Sequence, residues 1–259
     1  MRRGFSLSNR LTIMFSTLLF TCFATASEQL NDLTYYTESY PPANFEQDGQ
    51  ITGYSVDILH AAAKAVGQQI DSSQILLRPW PRSYRSVLTT DNTVLFSTTR
   101  TEHREHLFNW VGPITDIKVV VLARKSDNIT ITDPIEMGKY KIGVIRDDIG
   151  EQSLLELGIP RDSMQETTSV TTLAEQLLKE RIDLLAYAEK AAFWWTSQAG
   201  LDSSEFEVVY VLKQGDLYFA FNRNIDRTVL RELQKGLDII KTKDESGNSV
   251  LDEILQHYR

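Results

Sequence analysis

A short polar segment carries the residues best suited to bind a charged ligand. Three hydroxyl side chains, Ser97, Thr98 and Thr99, end an apolar run that predicts a buried strand, and Arg104 follows them. Thr101, with an acid directly after it, has the pattern of a helix N-cap, which would leave backbone N–H groups free for an anion. An arginine binds a carboxylate through two parallel hydrogen bonds. The segment predicts a carboxylate-binding corner, although a capped surface helix with a solvated arginine fits the spacing equally well.

A second corner of the same kind follows the predicted strand 140–145. Arg146, Asp147 and Asp148 come directly before a predicted helix that ends at residue 157. In open α/β sheets, ligands bind at the carboxyl ends of strands, beside helix N-termini. We therefore expect the two corners to face each other across a cleft, although Asp148 would also fit as a plain helix N-cap.

The elements that must position these corners alternate between strands and helices. Apolar β-branched runs predict strands, and apolar residues three and four apart predict amphipathic helices. The alternation indicates βαβ units and an α/β fold with largely parallel sheets. The predicted strands cover residues 33–37, 74–78, 94–96, 117–123, 140–145, 182–187, 206–212 and 217–221. The predicted helices cover residues 56–66, 83–88, 149–157, 172–181, 189–198, 226–241 and 249–257, with a short one from 134.

The first 26 residues have the pattern of a secretory signal peptide. Three arginines precede an apolar stretch from 11 to 23, and the A-x-A sequence 24–26 follows it. Cleavage is expected after Ala26, so the remaining chain is exported. The apolar stretch is too short to span a bilayer comfortably. Cys22 lacks the small residue expected before a lipidated cysteine, so a lipid anchor is not favoured.

Charge and composition exclude several classes of function. The 259 residues have a net charge of −8, which becomes −11 without the predicted leader because the leader holds three arginines and no acid. An acidic chain has no electrostatic reason to bind nucleic acid or an anionic membrane. Cys22, the single cysteine, lies in the leader, so thiol chemistry and disulfides are not expected. His103 and His106 alone do not make a metal pattern, and neither a metal nor another cofactor is expected.

Several segments together resemble one protein family. Residues 99–113 have Thr99, Thr101 and Arg104 followed by F-N-W-V-G-P, which is similar to the signature T-x-T-x-x-R … F-S-x-P-Y. Further similar segments are 53–57, 140–145, 180–185 and 218–221. The chain resembles the family 3 extracellular solute-binding proteins, the periplasmic polar amino-acid receptors of ABC uptake systems, over nearly all of its length after the leader.

The resemblance implies a two-lobe fold in the periplasm. Each lobe would be a mostly parallel sheet flanked by helices, and two crossover strands would join them. Lobe 1 would cover 27–116 and 216–259, and lobe 2 would cover 117–215. A ligand would bind in the cleft, and the lobes would close on it by a hinge motion.

The resemblance also assigns roles to residues. Arg104 matches the arginine that binds a ligand α-carboxylate, and the hydroxyl residues before it match contacts beside that carboxylate. Tyr40 matches an aromatic residue that stacks on the ligand, and Trp80 matches a residue of the pocket wall.

The sequence departs from the family where an aspartate normally binds the ligand ammonium. That position holds Ala188, flanked by Tyr187 and Glu189. A buried ammonium group without a partner costs several kcal/mol, so the counter-charge must come from elsewhere or be unnecessary.

Two alternatives follow from this departure. Glu38, Asp147 or Asp148 supplies the counter-charge, or the ligand is not an ordinary α-amino acid. If Arg104 and Arg146 faced each other, they would suit a ligand with two anionic groups, such as a dicarboxylate.

Three classes of function fit these observations. The favoured one is a monomeric binding protein, without catalysis, that captures a small polar, carboxylate-bearing solute for an ABC permease. The same module could instead report its ligand to a separate membrane signalling partner. A periplasmic dehydratase, to which the resemblance extends, would need a general acid or base such as Glu38, Glu189 or the pair Asp147 and Asp148.

Overall fold

The computed structural model describes residues 29–198, Gly200 and residues 202–258, so the predicted signal peptide lies outside the described part. The strands are β1 (Thr34–Thr37), β2 (Phe45–Gln47), β3 (Gln50–Thr52), β4 (Ile75–Leu77), β5 (Thr93–Thr99), β6 (Asn109–Val111), β7 (Asp116–Arg124), β8 (Ile142–Ile145), β9 (Met164–Thr167), β10 (Leu184–Ala188) and β11 (Phe206–Phe221). The α-helices are α1 (Tyr54–Ala65), α2 (Trp80–Thr89), α3 (Ile149–Glu156), α4 (Val170–Leu178), α5 (Glu189–Gln198), α6 (Arg227–Lys241) and α7 (Val250–His257).

A nine-stranded sheet runs through the described chain in the order β4-β1-β5-β11-β7-β10-β8-β9, with β6 paired to β11. At one end β1 pairs in parallel with β4 and β5, and at the other end β8 pairs in parallel with β9 and β10. The crossover strands β7 and β11 join the two ends and are antiparallel to each other and to their neighbours. This confirms the predicted two-lobe α/β fold. We call β1–β6 with α1, α2, α6 and α7 lobe 1, and β7–β10 with α3–α5 lobe 2.

Strand β11 is longer than the sequence predicts. Two strands, 206–212 and 217–221, are predicted, but β11 continues through residues 214–216. It does so because these residues pair with β7, with Gly215 opposite Ile117 and Asp216 opposite Asp116. The lobe boundaries predicted at 116 and 216 remain a prediction.

Close helix packing completes lobe 1. Helix α6 packs on α1, and a Cβ atom added at Gly236 would lie 2.1 Å from the carbonyl oxygen of Ala62. Only glycine permits that approach without a shift of one helix. Among the described helices, none is both long and apolar enough to cross a membrane.

The helix predicted from Thr101 is wrong. Residues 102–107 form consecutive turns, in which the Arg104 amide donates to the Thr101 carbonyl at 3.1 Å and the Leu107 amide donates to the Arg104 carbonyl at 3.0 Å. The chain must reach β6 at Asn109, where pairing with β11 begins, and this leaves no length for a helix.

Two other helix starts are shifted from their predicted positions. Helix α2 starts at Trp80 instead of Ser83. Prolines at its cap and in its first turn are tolerated, because the N–H groups that they lack make no hydrogen bond within the helix at these positions. Helix α4 starts at Val170, and its cap is Ser169, whose hydroxyl accepts from the Thr172 amide at 3.3 Å.

Candidate functional site

Arg104 lies at the contact between the two lobes. Its side chain is fully buried, and the turns after β5 hold it there. Nη1 donates to the Thr99 carbonyl at 3.3 Å within lobe 1, and Nη2 donates to the Asp147 carbonyl of lobe 2 at 3.1 Å. Nε has no hydrogen-bond partner among the described residues. The predicted carboxylate-binding residue is thus inside the cleft, with its Nε–H group unpaired.

Two aromatic rings of α2 cover the guanidinium. Its central carbon lies 5.1 Å from the ring centre of Trp80 and 5.4 Å from that of Tyr84, which permits cation–π attraction. Trp80 and Tyr84 are four residues apart on one helix face. Sequence reasoning missed Tyr84 because the predicted helix began after Trp80; a start at Trp80 would have paired the two rings.

The lobe 2 corner centres on one carbonyl group. Asp147 has a left-handed backbone (φ 60°), and its carbonyl accepts from Trp80 Nε1 at 2.9 Å as well as from Arg104. Gln152, another residue that sequence reasoning missed, donates to the same oxygen at 3.1 Å. Helix α3 approaches β10 closely, because a Cβ atom added at Gly150 would lie 2.6 Å from the Ala186 carbonyl oxygen. The corner is therefore fixed by α3 on one side and by lobe 1 on the other.

Two carboxyl groups from opposite lobes accompany Arg104. Glu38 follows β1 and is half-buried, while Asp148 caps α3, is 5% exposed, and has no partner for Oδ2 among the described residues. Burial raises the pKa of Asp148, and the Arg104 guanidinium opposes this shift. Burial and then the negative charge of Asp148 raise the pKa of Glu38 well above its ordinary value, while Tyr187 and Arg104 oppose that rise. The two carboxyl groups therefore repel each other and share the attraction of one guanidinium.

A pair of tyrosines crosses the cleft beside these carboxyl groups. The rings of Tyr40 in lobe 1 and Tyr187 in lobe 2 meet edge to face, with centres 5.7 Å apart. Burial is the main cause that raises the pKa of both hydroxyls well above the ordinary value, and the charges of Glu38 and Asp148 add to it. The Tyr187 hydroxyl is buried and interacts with the Glu38 carboxyl group across the cleft. We call Glu38, Tyr40, Trp80, Arg104, Asp148 and Tyr187 the cleft cluster.

The three hydroxyl residues of β5 have different surroundings. Ser97 has a positive φ of 57° where β5 bulges against β11, and its hydroxyl donates to Asn44 Oδ1 and makes a second hydrogen bond with the Ser55 hydroxyl at 2.9 Å. Thr98 is buried, and its hydroxyl donates to the Leu95 carbonyl at 3.4 Å. Thr99 is the one that touches Arg104, through its backbone carbonyl. Sequence reasoning missed Asn44, whose side-chain nitrogen also donates to the Glu38 carbonyl at 2.5 Å.

Arg146 is not brought to the cleft cluster. Its side chain is 55% exposed and forms an ion pair with Glu166 at 2.9 Å. The hypothesis of a dicarboxylate held between Arg104 and Arg146 therefore has no geometric support, because Arg146 is directed to the surface of lobe 2.

The position of the missing ammonium-binding aspartate lies beside a small cavity. Ala188 and Tyr40 both line this cavity of about 130 Å³, and Glu189 on its rim pairs with Lys118 at 2.9 Å. A second cavity, of about 230 Å³, adjoins the cluster at Glu38. Within the described part of the chain, no group of three or more His, Cys, Asp or Glu side chains is placed to hold a metal ion.

Comparisons with known proteins agree with this geometry. The chain is 26% identical over 121 residues to a protein of Neisseria gonorrhoeae named "Probable histidine-binding protein", and the match spans 46% of this chain and 44% of that protein, less than half of its length. An ancestral arginine-binding protein bound to arginine has a TM-score of 0.72 at 16% identity, over 89% of this chain and 99% of that one. A histidine kinase sensor domain with similarity to periplasmic binding proteins has a TM-score of 0.74 at 19% identity, over 88% and 96%.

These structural likenesses show the fold, and a family model shows the family. The model for bacterial extracellular solute-binding proteins, family 3, matches residues 34–256, which include both lobes and the whole cleft cluster. The chain belongs to the bacterial extracellular solute-binding proteins, family 3.

Proposed function

We propose that this protein captures a small amino-acid-type solute in the periplasm by closing its two lobes, and delivers it to a membrane permease of the ABC type. The observation that carries the proposal is a pair of buried polar atoms of opposite kind in the cleft cluster that lack partners among the described residues, Arg104 Nε and Asp148 Oδ2. Buried polar atoms are normally paired, so these two favour a polar ligand between the lobes.

The cleft cluster has groups of both signs, as an amino acid requires. Arg104 can bind the α-carboxylate, and Glu38 and Asp148 can bind the ammonium group that the family's missing aspartate would otherwise hold. Tyr40, Tyr187 and Trp80 supply apolar walls. The names of the relatives, which refer to histidine and arginine, agree with this ligand class.

Binding without turnover is the role we propose. Glu38 and Asp148 have raised pKa values, as a general acid would, so the dehydratase alternative has a defined test. Ligand recovered unchanged after prolonged incubation with the protein is the expected result, and formation of a dehydrated product would contradict it.

The ligand test is a thermal-shift screen of purified protein that has been unfolded and refolded to remove carried-over solute. A ligand at a hundred times its Kd adds about 2.7 kcal/mol to the free energy of unfolding, which raises the melting temperature measurably. We expect a hit among amino acids that disappears in Arg104→Ala and persists in Arg146→Ala, the matched control with an exposed guanidinium. A hit that survives Arg104→Ala would contradict the proposed site.

Partner choice needs a separate experiment. We expect the ligand-loaded protein to stimulate ATP hydrolysis by a cognate permease in proteoliposomes. Stimulation of a membrane kinase instead would assign the protein to sensing.

A further inference from the structure

A passage leads away from the cleft cluster along the crossover strands. It begins at Tyr40, whose ring contacts that of Tyr187 and which also lines the cavity of about 130 Å³ beside Ala188. Asp116 of β7 and Leu217 of β11 line the same cavity. The free space next to the cleft cluster therefore continues towards the strands that join the lobes.

The passage opens into a larger groove between the lobes. This groove has a volume of about 780 Å³, and five residues line both it and the small cavity: Pro42, Tyr54, Asp116, Glu189 and Lys190. Ligand pockets usually have volumes of about 300–1,000 Å³, so the small cavity alone is tight for a ligand. The groove gives room for a part of the ligand that extends beyond this cavity.

The walls of the groove are aromatic and come from both lobes. Tyr54 and Tyr258 of lobe 1 meet edge to face, with ring centres 6.3 Å apart, and both line the groove. Phe193 and Trp194 of α5 in lobe 2 line it as well, and the Trp194 ring lies 6.2 Å from that of Phe45 in lobe 1. Aromatic walls favour a flat or apolar group, and an occupant of this groove would contact both lobes.

One carboxyl group of the passage has no cation beside it. Asp116 is exposed, lines both the cavity and the groove, and forms no ion pair within the described part of the chain. Glu189, by contrast, already pairs with Lys118 at 2.9 Å. Asp116 also lies directly opposite Asp216 where β7 pairs with β11, and like charges in such a pair repel. An ammonium group bound at Asp116 would offset this repulsion.

We propose that the solute is a short peptide whose chain follows this passage. Its terminal carboxylate binds to Arg104, and the N–H group of its last amide donates to Asp148 Oδ2, which has no partner among the described residues. The chain then passes Ala188, and its terminal ammonium group lies at Asp116.

The pairing of the strands gives the length that such a solute needs. Ala188 pairs with Val119, and Asp116 lies three residues from Val119 along β7, which is about 10 Å at a rise of about 3.3 Å per residue. A free amino acid has its carboxylate and its ammonium group on one carbon atom, so it cannot reach from Arg104 to Asp116. Two or three peptide residues have the required length. This inference rests on the proposed function and narrows its ligand class.

Calorimetry with matched solutes tests the proposal. The solutes are the twenty amino acids, the glycyl and diglycyl peptides that end in each of them, and the acetylated analogues of these peptides, in which the terminal ammonium group is absent. For the side chain that binds best, we expect a peptide to bind at least about fivefold more tightly than both the free amino acid and the acetylated analogue, as a partly exposed charge pair permits. A free amino acid that binds as tightly as its peptides would overturn the proposal while leaving amino-acid capture intact. Equal binding of the acetylated analogue would overturn it too. If none of these solutes binds, the proposed function fails as well.

Two variants of nearly unchanged shape locate the ammonium position. Asp116→Asn should reduce peptide binding to the level of the acetylated analogue and leave the affinity for the free amino acid within about twofold. Asp216→Asn is the matched control, because Asp216 is also exposed and lies on the neighbouring strand but does not line the passage. It should retain the preference for the peptide. Loss of the preference in Asp216→Asn but not in Asp116→Asn would overturn the assignment.

Discussion

The guanidinium of Arg104 is isolated from water and surrounded by negative charge. Burial lowers its pKa, and the charges of Asp148, Glu38 and Asp147 oppose that shift. The guanidinium and the carboxyl groups therefore each lower the free-energy cost of burying the other. Removal of Arg104 should affect stability as well as ligand binding.

The first prediction concerns Arg104→Ala in the ligand-free protein. The variant loses two hydrogen bonds from a buried charged group to the Thr99 and Asp147 carbonyls, so we expect it to lose about 3 kcal/mol of unfolding free energy at pH 8. At pH 5 the loss should be smaller. Protonation of Glu38 or Asp148 then removes the repulsion between the two carboxylates, which Arg104 no longer screens in the variant. Urea denaturation at the two pH values measures this. Arg146→Ala, whose ion pair is exposed, should change stability by less than about 1 kcal/mol. A loss that is the same at both pH values would contradict this account.

The second prediction concerns Glu38→Gln. The folded-state pKa of Glu38 is raised well above the unfolded value, so its protonated form contributes stability that is complete below about pH 4 and is lost as the pH rises through the raised pKa. Asp148, Arg104 and the tyrosines Tyr40 and Tyr187 face this carboxyl group, and glutamine cannot titrate among them. Relative to the wild type, the variant should therefore gain stability steadily from pH 4.5 to pH 8. Parallel pH curves from urea denaturation would show that Glu38 does not titrate here.

At the residue scale, the sequence predicts some site residues better than others. Arg104, Tyr40 and Trp80 stand in motifs whose spacing is linked to the ends of strands. The structure places Arg104 against Trp80, and Tyr40 against Tyr187. Arg146 also follows a strand, but a side chain at such a corner can turn either way, and Glu166 attracts it to the surface. That ion pair depends on a strand twenty residues further along the chain, so the local sequence around Arg146 does not predict it.

At the scale of elements, the start of α3 decides where Asp147 and Asp148 lie. Gly150 in its first turn lets the helix approach β10. A larger residue would push the helix, and both acidic residues with it, away from lobe 1. The position of the lobe 2 corner therefore depends on a residue with no side chain of its own.

The third prediction is that Gly150→Ala weakens both stability and binding. A Cβ atom 2.6 Å from the Ala186 carbonyl oxygen forces a shift, and such overpacking costs about 1–3 kcal/mol. Chemical denaturation and ligand titration measure the two effects. Gly215→Ala is the matched control, because a Cβ atom there meets nothing within 4 Å, and it should leave stability nearly unchanged. Full ligand affinity in Gly150→Ala would show that the corner tolerates the shift.

Elements with a strong pattern of their own could be predicted, and elements decided by distant partners could not. The amphipathic helices α1 and α6 follow from apolar spacing alone. The helix predicted at Thr101 does not form because Asn109 to Val111 pair with β11 as a strand. Strand β11 itself is continuous because its middle pairs with β7. Both errors reflect long-range pairing that overrides local preference.

At the scale of the whole molecule, the lobes are connected by the paired strands β7 and β11 and meet again at the cleft cluster. Direct polar contacts across the cleft include the hydrogen bonds from Trp80 and Arg104 to the Asp147 carbonyl. The equilibrium between open and closed forms should therefore respond to small changes at these contacts.

The fourth prediction is that Trp80→Phe favours the open form. The ring is retained, but the donation from Nε1 to the Asp147 carbonyl, a net contribution of about 1 kcal/mol, is lost. Small-angle scattering should show a larger radius of gyration for the ligand-free variant than for the ligand-free wild type, and saturating ligand should remove the difference. Trp110→Phe is the control, since Trp110 Nε1 donates to the Glu105 carbonyl within lobe 1. Identical scattering of Trp80→Phe and wild type would contradict the prediction.

The Asp147 carbonyl also has a kinetic consequence. It accepts from Nη2 of Arg104, one of the nitrogen atoms that a solute carboxylate would use, so it competes with the solute for this donor. Because the Arg104 side chain is also fully buried, a solute can reach the guanidinium only after the two lobes have separated. The observed association rate should therefore reach a plateau as the solute concentration increases, at the rate with which the two lobes separate.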